Sequence, residues 1–279
     1  MRLQISLRGM SGRDVIPINY NYPISAWIYR LLSDASPEYA AFLHNQGYIG
    51  ADGKTRKLFT FSRLHIRPPA RRLGDRLIVD SIHEITLMLS SPMIQDFIQN
   101  IVIGLFKDQV LELGNDAKLA VQSVEVCPMP VLSSPLKCKS LSPIVVSTPI
   151  ERNGKLGKHY LRPDEQNLSE AIQNSLVKKH QTAHRASPDD TAFKFEPDWD
   201  YIKRRGGPEK TMTLVRLKEG HRDYTGVKGF LIPFTLTGSI ELMRTAWECG
   251  IGDQTSMGFG CIDVISDNKG SSKNLTRDR

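Results

Sequence analysis

The sequence is poor in what a metal site or a disulfide scaffold needs. Only four cysteines, Cys127, Cys138, Cys249 and Cys261, stand in 279 residues. No two have the C-x-x-C spacing of a zinc knuckle or a dithiol redox motif. The first residues contain no apolar run of signal-peptide length, so reduced thiols in a cytoplasmic protein are expected. Clustered His/Asp/Glu spacing is missing as well, and neither a metal nor another cofactor is expected. No stretch of about 18 uncharged apolar residues exists, which excludes a membrane-spanning helix and a membrane partner.

What is present is an ordinary globular composition, 40% apolar and 24% charged. That is enough to bury a core, and the length suits about two domains. Lys and Arg number 37 against 30 Asp and Glu, a formal net charge of +7. A protein of that sign is predisposed to polyanions, nucleic acid first among them.

Met1 to Arg8 alternates as a strand, with Leu3, Ile5 and Leu7 on one face. Pro23 to Leu32 has helical apolar spacing, and Ser36-Pro37 starts a second short helix. Ile49 to Arg56, with Gly50, Asp52 and Gly53, reads as a loop. Strands are expected over Leu58–Ile66 and Leu77–Leu89, a helix from Ser91-Pro92 onward, and a strand over Lys118–Val126. In that helix Met93, Phe97 and Ile101 form a core stripe. The order is β-α-β-β-α-β, the ferredoxin-like plan of an antiparallel sheet with helices on one face. A looser copy follows, with strands at Ile144–Thr148, Ala192–Glu196, Met212–Lys218, Gly226–Leu236 and Phe259–Val264. Its helices fall at Glu165–Lys179 and Gly238–Cys249.

The expected fold class is therefore α+β: two tandem ferredoxin-like, RRM-like domains with a central cleft. Residues 1–127 form the first domain and 143–265 the second, with a proline- and serine-rich linker at 128–142. Residues 266–279, polar and without periodicity, read as a flexible tail.

Near the end stands Gly250-Ile251-Gly252, then five residues, then Gly258-Phe259-Gly260. A dinucleotide-binding loop needs a strand before it and a helix after it, the reverse of this context. A Walker A loop would need Lys-Ser/Thr at its end. The glycines let backbone approach a ligand and could hold a phosphate; a plain glycine-rich turn fits the pattern equally. A helix, G-h-G (h apolar), five residues and G-h-G leading into a last strand resembles the C-terminal signature of the CRISPR-associated RAMP proteins. The closest resemblance is to the endoribonucleases that process the CRISPR repeat transcript. The start of the chain agrees, with Asn19-Tyr20, Tyr29 within a helix, His44 at the end of the next, and Lys57-Leu58-Phe59-Thr60-Phe61-Ser62.

The resemblance runs from Met1 to about Ile265 and implies the tandem fold read above. It implies a metal-independent site of Tyr29, His44 and Lys57. RNA would be cut by its own 2′-hydroxyl, leaving a 2′,3′-cyclic phosphate and a 5′-hydroxyl. That reaction needs a base, an acid and a cation to steady the charge building on phosphorus. Histidine can be either base or acid, lysine supplies the cation, and tyrosine can orient or deprotonate the 2′-hydroxyl. Each residue also has a plainer reading: His44 against its helix's C-terminal carbonyls, Tyr29 in the core, Lys57 as a solvated charge. Lys54 rivals Lys57, and His65 is a second acid or base candidate.

Charge favours an RNA ligand. Residues 50–76 hold eight basic residues, Lys54, Arg56 and Arg63 among them, against two acidic ones. Residues 201–230 hold eight, including Arg204 and Arg205, against three. Both blocks, with Gly250, Gly252, Gly258 and Gly260, are expected to contact RNA. The partners implied are CRISPR repeat RNA, as precursor and mature guide, and subunits of an effector complex; homodimers also occur in such a family. A non-catalytic repeat-binding subunit of such a complex is the alternative function.

Overall fold

Alternation in the first strand organises the first half of the molecule. In the computed structural model, which describes residues 1–152, 154–218 and 224–265, β1 spans Arg2–Gly9. Its Leu3, Ile5 and Leu7 are buried on one face. The chain continues as β2 (Arg13–Pro17), α1 (Asn21–Ala35), α2 (Pro37–Asn45), β3 (Tyr48–Ile49), β4 (Thr55–Arg56), β5 (Thr60–Phe61) and β6 (His65–Arg67). Then come β7 (Arg71–Leu73), β8 (Arg76–Asp80), β9 (Glu84–Ser90), α3 (Gln99–Lys107), β10 (Val110–Glu112) and β11 (Lys118–Cys127).

β11, β1, β9 and β5 lie side by side, every pair antiparallel. Counted along the chain, the fourth strand sits beside the first, then the third, then the second. β10 extends the sheet beyond β11, and β6 joins β9. Helices α1, α2 and α3 cover the Leu3/Ile5/Leu7 face, where Trp27, Phe59, Phe61 and Phe97 are fully buried. Phe59 stacks on Phe97 with centroids 4.7 Å apart, so this aromatic pair belongs to the core.

The second half runs β12 (Leu136–Ser140), β13 (Ser147–Arg152), β14 (Lys155–Tyr160), α4 (Leu168–His184), β15 (Phe193–Pro197), α5 (Trp199–Arg204), β16 (Met212–Leu217), β17 (Thr225–Phe230), β18 (Pro233–Gly238), α6 (Ile240–Cys249) and β19 (Ile262–Val264). Its four-stranded sheet is ordered β15-β18-β12-β19. Read from β19, that is again fourth, first, third, second. The hairpins β13–β14 and β16–β17 are additions outside this sheet.

Five expectations need correction. The segment read as a linker contains β12, whose Leu136 and Cys138 are buried between exposed Lys137 and Lys139. Its short alternation was hidden by the flanking prolines. Ile144 and Val145 make only isolated bridges, and β13 starts at Ser147. Leu77–Leu89 and Gly226–Leu236 are each two strands in different sheets, broken at the turns before Glu84 and Pro233. Leu58–Ile66 is likewise two short strands on one neighbour. The tail at 266–279 lies outside the described residues. No described helix is long and apolar enough to cross a membrane.

The halves are locked together by a buried arginine. Arg2, in β1, is 2% exposed and lies 4.1 Å over the Trp247 ring. It donates to Ser90 Oγ at 2.7 Å and to the Trp247 and Ile262 carbonyls at 2.9 Å each. A planar five-donor fork suits such a position, because a buried guanidinium must satisfy most of its N–H groups.

Candidate active site

The first helix carries the floor of the site. Asn21, Ser25 and Tyr29 recur every four residues and so form one stripe along α1. Asn21 Nδ2 donates to the Met257 and Gly258 carbonyls at 2.9 and 3.2 Å, and Ser25 Oγ to the Ser256 carbonyl at 3.2 Å. Tyr29 continues the stripe beyond the glycine-rich turn.

α2 delivers His44. Ser36 caps its start, accepting from the Tyr39 N–H. The helix ends where Gly47 takes a φ of +67° and donates to the Phe42 carbonyl. A glycine suits this left-handed position, and a Cβ there would stand 3.0 Å from the Arg56 carbonyl. His44 in the last turn is exposed, and its ring meets Tyr29 edge-on, centroids 5.4 Å apart at 82°. Its Nδ1 lies 3.0 Å from Asn45 Oδ1. With the amide oxygen accepting, Nδ1 carries the proton and Nε2 is left for other work.

Lys57 completes the cluster. Leu58, next in sequence, has a φ of +51°, a conformation that side chains other than glycine rarely adopt. This bend separates half-buried Lys57 from Leu58 and Phe59, which enter the core. Lys57 Nζ donates to the His44 carbonyl at 3.0 Å and lies 5.1 Å from the Tyr29 ring centroid. Partial burial pulls its pKa below the ordinary lysine value. The carbonyl at the end of α2 is thus satisfied by Lys57 rather than by the imidazole. Lys54 takes no place in this contact: it is exposed and its backbone N–H bonds Asp52.

Tyr29 sits differently from its expected role. Its hydroxyl is buried and has no hydrogen-bond partner among the described residues, and burial pushes its pKa well above the ordinary phenol value. Such a hydroxyl is poorly suited to take a proton from substrate. What Tyr29 offers the cluster is its ring, an edge contact for His44 and a face for the Lys57 ammonium.

Of the four glycines expected to contact RNA, Gly252 alone is among the residues lining the cationic cleft described below. Gly250, Gly252, Gly258 and Gly260 are all buried. Gly252 and Gly258 both take a φ of +78°, where a Cβ would collide with the Val145 carbonyl and the Phe61 ring respectively. The close approach they permit is to the protein itself. Lys179 of α4, also buried, holds this turn by donating to the Gly250 and Gly252 carbonyls at 2.8 and 2.7 Å.

Burial drives the Lys179 pKa down to about 8 from the usual 10.5. Folding therefore releases its proton between those values, and the unfolded chain holds more protons there. Its contribution to stability rises with pH across that window, by up to about 3 kcal/mol. Melting curves of the wild type and a Lys179→Met variant should accordingly separate in the wild type's favour from pH 8 to 10.5. A constant difference between them would show that no buried ammonium titrates there.

Between the turn, the β4–β5 segment and α4 lies a cleft of about 490 Å³. Lys54, Lys57 and Lys178 line it together with Asn174, Gln254 and Ser256. Its acids are already engaged. Asp52 accepts two bonds from Arg56, at 2.8 and 2.7 Å, which hold its carboxyl well below the usual carboxylate range. Asp253 accepts from Ser147 N–H and Oγ at 2.9 and 2.7 Å. The cleft is left cationic beside His44, while the Arg56 charge is spent on Asp52. Asn174 and Lys178 were not singled out from the sequence; only the i, i+4 spacing of polar residues on α4 could have pointed to them.

The remaining candidates lie elsewhere. Arg63 and His65 line a separate cleft of about 560 Å³ with Arg67 and Lys139. His65 pairs with Thr86, and Thr86 with Ser6, which puts it on the face opposite the helices and away from His44. Burial and the nearby Arg67, Lys139 and Arg63 charges lower its pKa. The basic block at 50–76 is therefore divided between two faces. Arg204 and Arg205 end α5, against the Asp200 carbonyl and the Tyr201 ring, and join neither cleft. Glu219, Arg222 and Asp223 of the second block lie outside the described residues.

Two halves with one strand order hold a glycine-rich turn between α1 and α4, and the family matches make the chain a CRISPR-associated RAMP protein of the repeat-RNA-processing kind. Residues 15–125 match the N-terminal model of CRISPR-associated protein Cas6, and 127–264 its C-terminal model. The chain is 31% identical over 275 residues to CRISPR-associated endoribonuclease Cas6 1 of Methanocaldococcus jannaschii, covering 99% of this chain and 97% of that one. A solved CRISPR associated protein Cas6 superposes with a TM-score of 0.73 at 29% identity, over 95% of this chain and 99% of that one. A Cas6-related protein from Pyrococcus furiosus reaches a TM-score of 0.78 at 24% identity, over 96% and 99%. The chain belongs to the Cas6 family.

Proposed function

We propose that this protein is an endoribonuclease that binds CRISPR repeat RNA and cuts the precursor transcript within each repeat, without a metal. The observation that carries the proposal is the meeting of Tyr29, His44 and Lys57, from three separate elements, at the edge of a cationic cleft. The 2′-hydroxyl attacks the adjacent phosphorus, the bond to the 5′-oxygen breaks, and a 2′,3′-cyclic phosphate and a 5′-hydroxyl result. His44 Nε2 takes the 2′-hydroxyl proton, Lys57 steadies the charge on the phosphoryl oxygens, and the leaving 5′-oxygen takes its proton from solvent water, to which the imidazolium then returns its own. Side chains supply the base and the cation and water the acid, and the reaction as written uses no metal.

The shared strand order supports reading each half as a ferredoxin-like domain, the second including β12. The 490 Å³ cleft takes the scissile region. The Arg63/His65/Arg67/Lys139 surface on the other face takes phosphates further along the strand.

Purified protein incubated with CRISPR repeat RNA in excess EDTA tests this reading. One cut per repeat, with cyclic-phosphate and 5′-hydroxyl ends, is the expected result. Tight binding with no cut would instead make the protein a structural repeat-binding subunit.

A further inference from the structure

A third cleft, of about 560 Å³ and distinct from that at Arg63 and His65, opens across the last turn of α2 from His44. At 100° per residue, Phe42 and Gln46 share one side of the helix, and His44 between them faces the other way. Phe42 and Tyr48 form an aromatic wall, their rings edge-on with centroids 5.4 Å apart. Ile49 extends it and is 69% exposed. The facing wall is the C-terminal end of α4, with Gln181 and Arg185. Among the described residues of the lining Arg185 alone is charged, and the nearest acid, Asp96, is engaged with the Tyr48 hydroxyl behind the aromatic wall.

This combination is specific in its chemistry. An aromatic and aliphatic wall offers a surface for a planar ring, and two carboxamides offer paired donors and acceptors to a base edge. A guanidinium at the rim suits the attached phosphate. The thickness of one helix, about 10–12 Å, separates the cleft from His44, a span a single strand crosses readily. We propose that the cleft binds an unpaired nucleobase of the RNA, from a nucleotide flanking the cut. The proposal rests on the reading of the protein as a repeat-RNA nuclease and adds a base-specific contact to it.

The test uses the full chain and repeat RNA made uncleavable by a 2′-deoxy sugar at the cut. Single abasic nucleotides are placed at successive positions around that sugar, and Kd is measured for the wild type and a Gln181→Ala/Arg185→Ala variant. The variant should bind intact RNA about tenfold more weakly, and one abasic position should weaken the wild type by a similar factor. At that position the two losses should fall short of multiplying, because both remove the base's contact with Gln181, while the Arg185 contact with the phosphate is lost in the variant alone. Ala186→Trp, which fills the cleft from the segment just after α4, should reproduce the non-additivity.

Losses that multiply at every position, or variants that bind like the wild type, would overturn the proposal while leaving the nuclease reading intact. A wild type that neither binds nor cuts the repeat RNA would overturn both.

Discussion

Replacing His44 by alanine should lower the single-turnover cleavage rate by a factor of order 100 or more, with the affinity for repeat RNA nearly unchanged. The argument starts from its surroundings. The imidazole is exposed, leans edge-on against Tyr29, and leaves Nε2 uncommitted once Nδ1 is bonded to Asn45. The helix-end role that a histidine could have had is filled instead by Lys57, whose ammonium bonds the His44 carbonyl. Removing the imidazole therefore strips the proton-transferring group without unsatisfying a buried atom, and the fold should survive. Cleavage at the wild-type rate would remove His44 from the chemistry. Loss of RNA affinity in equal measure would make it a binding residue.

The three candidate residues were legible through the family resemblance, and the local structure agrees with it. Ser36-Pro37 fixes where α2 begins and Gly47 where it ends, and together they put His44 in the last turn. The register of Lys57 was harder, since Lys54 has the same chemistry three residues earlier. What separates them is the left-handed backbone at Leu58 and the short β3–β4 pairing, neither of which leaves a mark in sequence.

The sheets were less legible for a related reason. A continuous apolar alternation such as Leu77–Leu89 does not say that the chain turns and enters another sheet. β12 was concealed by the prolines around it. The glycine-rich turn was located correctly, but its partners are long-range: Thr60 Oγ1 bonds the Phe259 carbonyl, and Lys179 reaches Gly250 and Gly252 from α4. Glycine spacing signals a close approach without saying what approaches.

Tyr29 separates two mechanisms that sequence alone cannot tell apart. If its hydroxyl took or oriented the 2′-proton, Tyr29→Phe would be nearly as damaging as loss of His44. The buried, unpartnered hydroxyl and its raised pKa argue instead that the ring does the work. Its edge holds the imidazole and its face carries the Lys57 ammonium, 5.1 Å away. Contacts of these kinds contribute about 0.5–2 kcal/mol each, small against folding but enough to set where two reacting groups stand. A displacement of about 1 Å at the chemistry can cost on the order of 100-fold in rate. Tyr29→Phe, which keeps the ring, should therefore cleave within about threefold of wild type, and Tyr29→Leu, which keeps apolar bulk only, about 30-fold more slowly. Repeat-RNA affinity should follow the wild type in both variants, so that the loss falls on the rate at saturating RNA. Equal losses in the two variants would return the hydroxyl to the reaction.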